Sequence, residues 1–552
     1  VSRRSSRGRR WLLALVAPIA IIAGAVHGAG LAASSEAAPA QPSTLRAAFS
    51  SFPDYMDPQL SYTFEGWNAM YDVYVPLLTY RRAPGRAGAE IVPGLANGLP
   101  RITNGGRTYT LFLRPGLKYS DGTPVRASDF EYAIKRMLKL HSGGAPFYMV
   151  IAGAERFERT GKGGISGIVT DNASGKIVIH LLAPRSYFPD LLALMFAAPV
   201  PPSTPMHDAS FDPPPATGPY AITGTDASGW SYARNPAWDF ANGPLMPQLP
   251  RGYMDRIEVR VIRNAEAEAR GVLAGRIDWM QNPPTPRRVA SLRRTNPGQL
   301  RVDALPSTYY FWMNTQKPPF DDLRVRRAVN HAIDPLALRR IYGGQLAPTH
   351  QILPPGVPGF ERFNLYPFDL REARRLIAAA DPADRRIVAW TDNGSPNQEA
   401  GEYFAAQLRE IGFRVRLEVV SAGSYFTVIG NHRTPNLDAG WSNWFADFAH
   451  PDDFFQPLLL GSSILPFYNG NFARMNVPKL NQKILGLSRR PLGPAAERAY
   501  GSLDRGFMKL APWVPYGTRV LETFVARDID PAQLVYDPMS GVTLTSFRFE
   551  QP

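Results

Sequence analysis

The residue in this chain best placed to do chemistry is an aspartate set among aromatic rings. The stretch WSNWFADFAHPDDFF, residues 441–455, carries six aromatic side chains in fifteen positions, and Asp447 has Trp444, Phe445 and Phe448 as near neighbours. Moving a carboxylate out of water is strongly unfavourable unless a partner compensates it. Asp447 therefore either faces solvent, as a turn or cap residue near a proline does, or it waits for a cation. Asp452 and Asp453 follow Pro451. Adjacent acids there read as a helix start favoured by the helix dipole, rather than as a metal or acid/base pair.

Familiar catalytic patterns are missing. The chain has no G-x-S-x-G elbow, no S-x-x-K, no G-x-x-x-x-G-K-[ST] loop and no H-E-x-x-H pair. Its 8 histidines are scattered, none three or four residues apart, and His331 on an expected helix reads as structural or surface. With no cysteine at all, disulfides, thiolate catalysis, cysteine–zinc sites and a lipid-attachment cysteine are excluded. These absences weigh against an enzyme without excluding one with an unfamiliar site, and no metal or cofactor is expected.

Several elements have to position such a site. The 552 residues are 44% hydrophobic and 20% charged, a globular composition with ample material for more than one domain. The N-terminus opens with five arginines in ten residues, then an apolar run from Trp11 to Val26 and small residues. That layout predicts an export signal over residues 1–40 with an A-x-A exit at Ala38–Ala40, or an uncleaved anchor. The formal net charge is +14. The basic residues are mostly arginine and spread along the chain, so the reading is against a nucleic-acid partner.

Downstream, RTYTLFLR (107–114) alternates as a half-buried strand, and Ser128 with Glu131 predicts a capping box opening a helix. KIVIHLL (176–182) is another strand. DRIEVRVIR (255–263), an Asn264-capped helix ending at Gly275, and IDWM (277–280) form a strand–helix–strand unit with parallel strands. The second half repeats the logic with helices after Asp322 and Asp369, and with QEAGEYFAAQLREI, Gly412 and the strand FRVRLEVV. The fold class is α/β, with two α/β regions flanking a middle where the chain crosses between them.

Six motifs, in order, carry a resemblance: YTLFLRPGLKYSDGTPVRASDFEYAIKRML (109–138), ATGPYAI (216–222), RNPAWDFANGPLMPQLPRGYMDRIEVRVI (234–262), LAGRID (273–278), TYYFWMNTQKPPFDDLRVRRAVNHAID (308–334) and WSNWFADFAHPDDFF. Together they resemble the peptide-type solute-binding proteins of ABC importers, the bacterial extracellular family 5, from about residue 50 to about residue 545. The resemblance implies a two-lobed periplasmic-binding-protein-like fold with hinge and cleft, plus the extra inserted domain of class C. It implies domain I over 41–62, 196–305 and 511–552, an inserted domain II over 63–195, and domain III over 306–510. It further implies a monomeric exported protein, periplasmic or at the cell surface, peripheral to the membrane or held by its N-terminus. Its partners would be a peptide and the permease subunits of an importer.

The resemblance also assigns residues. The matching aspartate in peptide-binding relatives pairs with the ligand's N-terminal ammonium; here it is Asp447. The backbone of Asn443, Trp444 and Phe445 would pair with an extended peptide as an added strand. Tyr425, Tyr309 and Tyr310 match aromatic positions near the ligand, with core packing as the alternative for each. Trp441 stands where some oligopeptide binders carry an arginine for the carboxylate of short peptides; Phe448 replaces a tyrosine and His450 an acid. The alternative ligands on the same fold are an oligosaccharide or a metal chelate, and an alternative role is that of a ligand sensor.

Overall fold

The computed structural model describes residues 43–537 and 539–550. The segment read as an export signal or anchor lies outside the described residues. Among them, no helix is long and apolar enough to cross a membrane.

The 255–280 stretch folds as its pattern dictates. Arg256–Val261 is a strand with Ile257 and Val259 buried. The Asn264 side chain accepts the Ala267 N–H at 3.0 Å and caps the helix Ala265–Leu273. Gly275, at φ +65°, turns the chain into the strand Trp279–Met280. The strand Thr44–Phe49 lies between these two and runs parallel to both, so the crossover helix passes over one intervening strand.

In the second half, Asp322 accepts the Arg324 N–H at 2.7 Å ahead of the helix Leu323–Ala332. Asp369 accepts from Arg371 and Glu372 at 2.9 and 3.1 Å ahead of Leu370–Ala380. The helix Asn397–Glu410 leads through Gly412 to the strand Arg414–Val420, which runs parallel to Arg386–Asp392. The capping box expected from Ser128 and Glu131 is displaced. Its helix spans Ala127–Lys139, and Asp129 takes the Arg126 N–H at 2.9 Å. The physical reason is competition: Asn172 holds the Ser128 N–H at 2.9 Å and donates to its hydroxyl at 3.1 Å, while Glu131 pairs with Lys135 at 2.7 Å.

A sheet of 12 strands joins both halves. Trp513–Val525 is the strand that spans them. Its first residues pair with Ser307–Met313, and its later ones with Leu300–Ala304 and Trp279–Met280. Beside it, Leu305 donates its N–H to the Arg519 carbonyl at 2.8 Å.

Most of the interior falls into two large apolar clusters, with a small third one around Val272, Met280 and Phe524. One large apolar cluster draws on residues from Leu45 to Leu305 and again from Leu521 to Phe547; a second draws on Tyr309 to Tyr516. Phe448 and Ala449 belong to the first cluster although the chain around them belongs to the second. The first core also holds an ion pair whose side chains are both 0% exposed. The Arg136 guanidinium donates to both Asp57 oxygens at 2.6 and 2.5 Å. It also donates to Gln59 Oε1 at 3.0 Å and to the carbonyls of Pro205 and His207 at 2.7 and 2.6 Å.

Candidate functional site

The site is built where the strand Ala439–Phe445 ends. Residues 439–445 pair antiparallel with Ser307–Met313 along their whole length, from Ala439 opposite Met313 to Phe445 opposite Ser307. On its other edge the strand meets Arg386–Asp392 only at Ala439 and Gly440. The carbonyl of Trp441 is then taken by the Tyr425 hydroxyl at 2.7 Å and the Trp312 indole at 3.2 Å.

Beyond that point, alternation decides which groups are left over. In an antiparallel ladder, successive residues turn their N–H and C=O to opposite sides. The Ala446 N–H donates to the Pro306 carbonyl at 2.8 Å, so residues 446, 444 and 442 face the Ser307–Met313 strand. Asn443 and Phe445 therefore point their backbone groups away from it, along the edge that Arg386–Asp392 does not cover. The Ser442 hydroxyl makes a long contact of 3.3 Å to the Asn443 carbonyl.

The chain leaves this strand into Ala446, Asp447 and Phe448. Asp447 Oδ1 accepts the Tyr62 hydroxyl at 2.9 Å, from a residue 385 positions earlier. Its N–H donates to Asp453 Oδ2 at 2.9 Å, and the Trp444 indole donates to the same oxygen at 3.1 Å. Asp453 opens the helix Asp452–Leu459, as adjacent acids after a proline predict, and it also fixes the loop that presents Asp447. The Tyr187 ring stacks on Phe448 at 5.2 Å, and the Ala449 N–H donates to the Tyr80 hydroxyl at 3.2 Å. His450 is fully buried; its Nδ1 accepts the Asp452 N–H at 3.1 Å, which leaves Nε2 toward the Ser186 hydroxyl at 3.3 Å.

Asp447 and Tyr62 line two cavities at once. The smaller, about 400 Å³, also has Trp67, Asn282, Phe445 and Arg519 in its wall. The other, about 630 Å³, is walled by Phe147, Tyr187, Trp444, Phe448, Asp452 and Asp453. A larger space of about 1070 Å³ lies elsewhere, with Ile102, Tyr109, Pro491 and Leu492 in its lining. It does not include Asp447.

The electrostatics favour an incoming cation. Asp447 keeps part of its surface open, yet protein surrounds the carboxyl closely enough that burial lifts it to about 7. Burial also raises Asp453 well above the usual carboxylate range, and the adjacent Asp447 charge raises it further. Asp190 and Asp452 are lifted to about 7 by burial. Burial pushes His450 down to about 3, so it supplies no positive charge. Among the described residues, no ion pair reaches Asp447, and no group of three or more His, Asp or Glu side chains is arranged to hold a metal.

A pH dependence follows from the raised Asp447. An ammonium placed at the carboxylate would stabilise its ionised form, so affinity for a ligand carrying one would be full above the Asp447 value and would fall as pH drops through about 7. The ligand's own amine loses its proton above about 8. Titrations across this range are expected to give an optimum between the two. In buffers of different ionisation enthalpy, proton release should be seen on binding below the optimum. An affinity that stays flat from well below the Asp447 value of about 7 to well above the amine's would contradict the assignment.

The structure brings Asp447, Trp444 and Phe445 to the cavities, with the Asn443 backbone on the adjoining edge. Phe445 is 41% exposed. Tyr309 stands behind it, edge-on at 6.0 Å and 7% exposed. Tyr310, Tyr425 and Trp441 are placed in the second core instead. Tyr310 stacks on Trp513 at 3.7 Å, and Tyr425 lies flat against Trp441 at 5.4 Å. None of these three lines either cavity. Sequence reasoning singles out neither Tyr62 nor Arg519, and it reads Asp453 as a helix start rather than as the residue that fixes the Asp447 loop; the contacts that give them a place here are between residues distant in the chain or inside a loop.

Comparison with known proteins returns one family. The model for bacterial extracellular solute-binding proteins, family 5 Middle, matches residues 90–465. The oligopeptide-binding protein OppA of Bacillus subtilis (strain 168) is 27% identical over 290 residues, which is 50% of this chain and 51% of that relative. The alignment thus spans about half the length of OppA. The periplasmic murein peptide-binding protein MppA of Escherichia coli (strain K12) is 25% identical over 452 residues, 77% of this chain and 79% of MppA. Among solved structures, the clavulanic acid biosynthesis oligopeptide binding protein 2 superposes with a TM-score of 0.82 at 26% identity, covering 92% of this chain and 95% of its own.

Proposed function

Because the chain belongs to family 5 of the bacterial extracellular solute-binding proteins, we propose that it captures a peptide beside Asp447 and delivers it to the permease of an ABC importer. The observation that carries this reading is one juxtaposition. A half-open carboxylate that no ion pair reaches among the described residues sits at the end of a strand whose Asn443 and Phe445 backbone groups face the edge that Arg386–Asp392 leaves uncovered. The carboxylate suits the N-terminal ammonium, and the strand edge suits the peptide backbone, which it would pair with regardless of side chains. Phe445, Trp67 and Tyr62 form apolar walls for whatever the first residues carry.

On this reading Asp447 is the ammonium receptor, Asn443, Trp444 and Phe445 are the strand partners, and Tyr309 supports Phe445. Tyr310, Tyr425 and Trp441 hold the strand rather than the ligand. Domain I is built from 41–62, 196–305 and 511–552, domain II from 63–195 and domain III from 306–510. The cleft between domains I and III is the capture site. The protein acts outside the cytoplasm as a monomer and releases its ligand unchanged, with no catalytic step.

Closure of the cleft is selected by the contacts a ligand adds in the closed state. A contact between the two halves supports this reading of closure. The loop from Ala446 to His450 reaches from the second half of the chain to Tyr62, Tyr80 and Ser186 of the first.

Native mass spectrometry of the protein purified without refolding, followed by denaturation and sequencing of what is released, tests the proposal. Released peptides are the expected result. A sugar or a metal chelate would replace the peptide reading with one of the alternative ligands. Hydrolysis of an added peptide would overturn the non-catalytic role.

A further inference from the structure

The contact between the two halves of the chain is rich in carboxylates and poor in cations. Asp190 lies between Phe188 and Leu191 of the first core, and Asp452 and Asp453 precede Phe454 and Phe455 of the second. All three acids are buried. One hydroxyl joins the halves: Tyr80 donates to Asp190 Oδ1 at 3.0 Å and accepts the Ala449 N–H at 3.2 Å. Beside it, the Ser186 N–H donates to the Ser488 carbonyl at 2.7 Å.

The groups bonded to these carboxyls are neutral. Asp190 takes the Tyr80 phenol, Asp452 the Tyr500 phenol at 2.8 Å, and Asp453 the Trp444 indole and the Asp447 N–H. His450 Nδ1 lies 3.9 Å from Asp452 Oδ2, but it accepts a backbone N–H and so carries no proton there. Among the described residues, no lysine or arginine forms an ion pair with any of the three. Arg185, half-buried in the wall of two cavities, is the cation felt at Asp452, and its Nη1 donates to the Pro184 carbonyl at 3.1 Å. Arg86 pairs with Glu497 across the same gap and Arg81 with Glu90, while Arg489 is exposed in the outer wall. Tyr62, Tyr187 and Gln456 add no charge, and Asp447 adds a fourth carboxyl.

Ionised, this arrangement is costly. Burial without a counter-charge disfavours the charged form, and bringing Asp190 up to Asp452 and Asp453 adds like-charge repulsion. Burial lifts Asp190 and Asp452 to about 7, and Asp452 raises Asp190 further. Burial lifts Asp453 as well, with Asp447 and Asp190 adding to it. With the halves apart, the same side chains would face water, where an aspartic acid titrates at about 3.9.

We propose that closure of the two halves takes up protons at Asp190, Asp452 and Asp453, so that acid closes the protein without a ligand and neutral pH holds it open until a ligand arrives. This rests on the reading of the chain as one that closes on its ligand. A value raised in the closed state favours closure most below the open-state value of about 3.9, and that gain is lost as pH rises through about 7. Within this window each acid that takes a proton changes the closing equilibrium by up to about tenfold per pH unit. An ammonium beside Asp447 would do at neutral pH what protons do in acid: place positive charge inside the cluster.

Small-angle X-ray scattering of the ligand-free protein at about pH 8 and about pH 5 tests the proposal. The radius of gyration is expected to shrink in acid and to recover on return. The double variant Asp190→Asn with Asp452→Asn replaces protonated acids by neutral amides that still accept the Tyr80 and Tyr500 hydroxyls, and it should be compact at both values. A wild type of the same radius at both would overturn the proposal. So would a double variant that opens and compacts as the wild type does, because other groups would then take the protons. Should the variant not fold, infrared spectra of the wild type carry the test. Carboxylic-acid absorption should appear between about pH 8 and about pH 6, where exposed acids stay ionised, in step with compaction; its absence would overturn the proposal. No ligand is present in these measurements, so their failure leaves peptide capture standing, and native mass spectrometry reads that separately.

Discussion

Asp447→Asn is expected to weaken the binding of peptides with a free N-terminus by about 2–5 kcal/mol, the range for truncating one partner of a desolvated charge pair. Asparagine has nearly the same shape, can still accept the Tyr62 hydroxyl, and leaves the backbone bond from residue 447 to Asp453 in place. What it removes is the charge. The ligand's ammonium would then be drawn into a site walled by Trp67, Phe445 and Tyr62 with no counter-charge at that position. Acetylating the peptide should cause a loss of similar size on the wild type and almost none on the variant. Such non-additivity identifies the ammonium and the carboxylate as partners. If free and acetylated peptides bind the wild type equally, Asp447 is not the receptor.

The largest effect on stability is expected at Arg136. Arg136→Met leaves Asp57, 0% exposed, without its cation in the first core, at a loss of about 3–5 kcal/mol. The guanidinium also ties down Gln59 and the carbonyls of Pro205 and His207, so two segments distant in sequence, 57–59 and 205–207, lose their common partner. Asp57 retains the N–H donors of Gln59 and Ala209, which are too few for an isolated buried carboxylate. Urea denaturation reads the loss as a lower midpoint. The double variant Arg136→Met with Asp57→Leu should recover part of it, because removing both charges removes the unpaired one. A single variant as stable as the wild type would show that the pair contributes nothing.

What the sequence makes legible is local. The Asn264, Asp322 and Asp369 caps each act within two or three residues of themselves, and the alternation of Ile257 and Val259 needs only its own strand. The capping box at Ser128 misleads because a residue 44 positions away, Asn172, takes the groups that the local pattern assigns to the helix. The site fails to show itself for the same reason. Asp447 stands out as a carboxylate among rings, but its partner Tyr62 is 385 residues earlier, and Arg519 comes from a strand after the second core. The aromatic positions Tyr310, Tyr425 and Trp441 look alike in sequence to Phe445. Only the fold decides that Tyr310 and Trp441 turn into the core from the sheet and Tyr425 from a short helix, while Phe445 turns to the cavity.

The strand Trp513–Val525 has a consequence for the order in which the protein can be made. Trp513, Val514 and Tyr516 complete the second core, and Leu521 and Val525 enter the first, which continues to Phe547, so both cores need a strand that leaves the ribosome after every other part of the second core. Long-range pairing of this kind delays the reward for collapse until the chain is nearly whole. Neither half is expected to finish folding as it emerges, in contrast with chains whose N-terminal domain matures first. If the chain is exported as proposed, this late completion would leave it unfinished while it is still being made. A fragment that stops short of Trp513 should remain a substrate for chaperones and proteases.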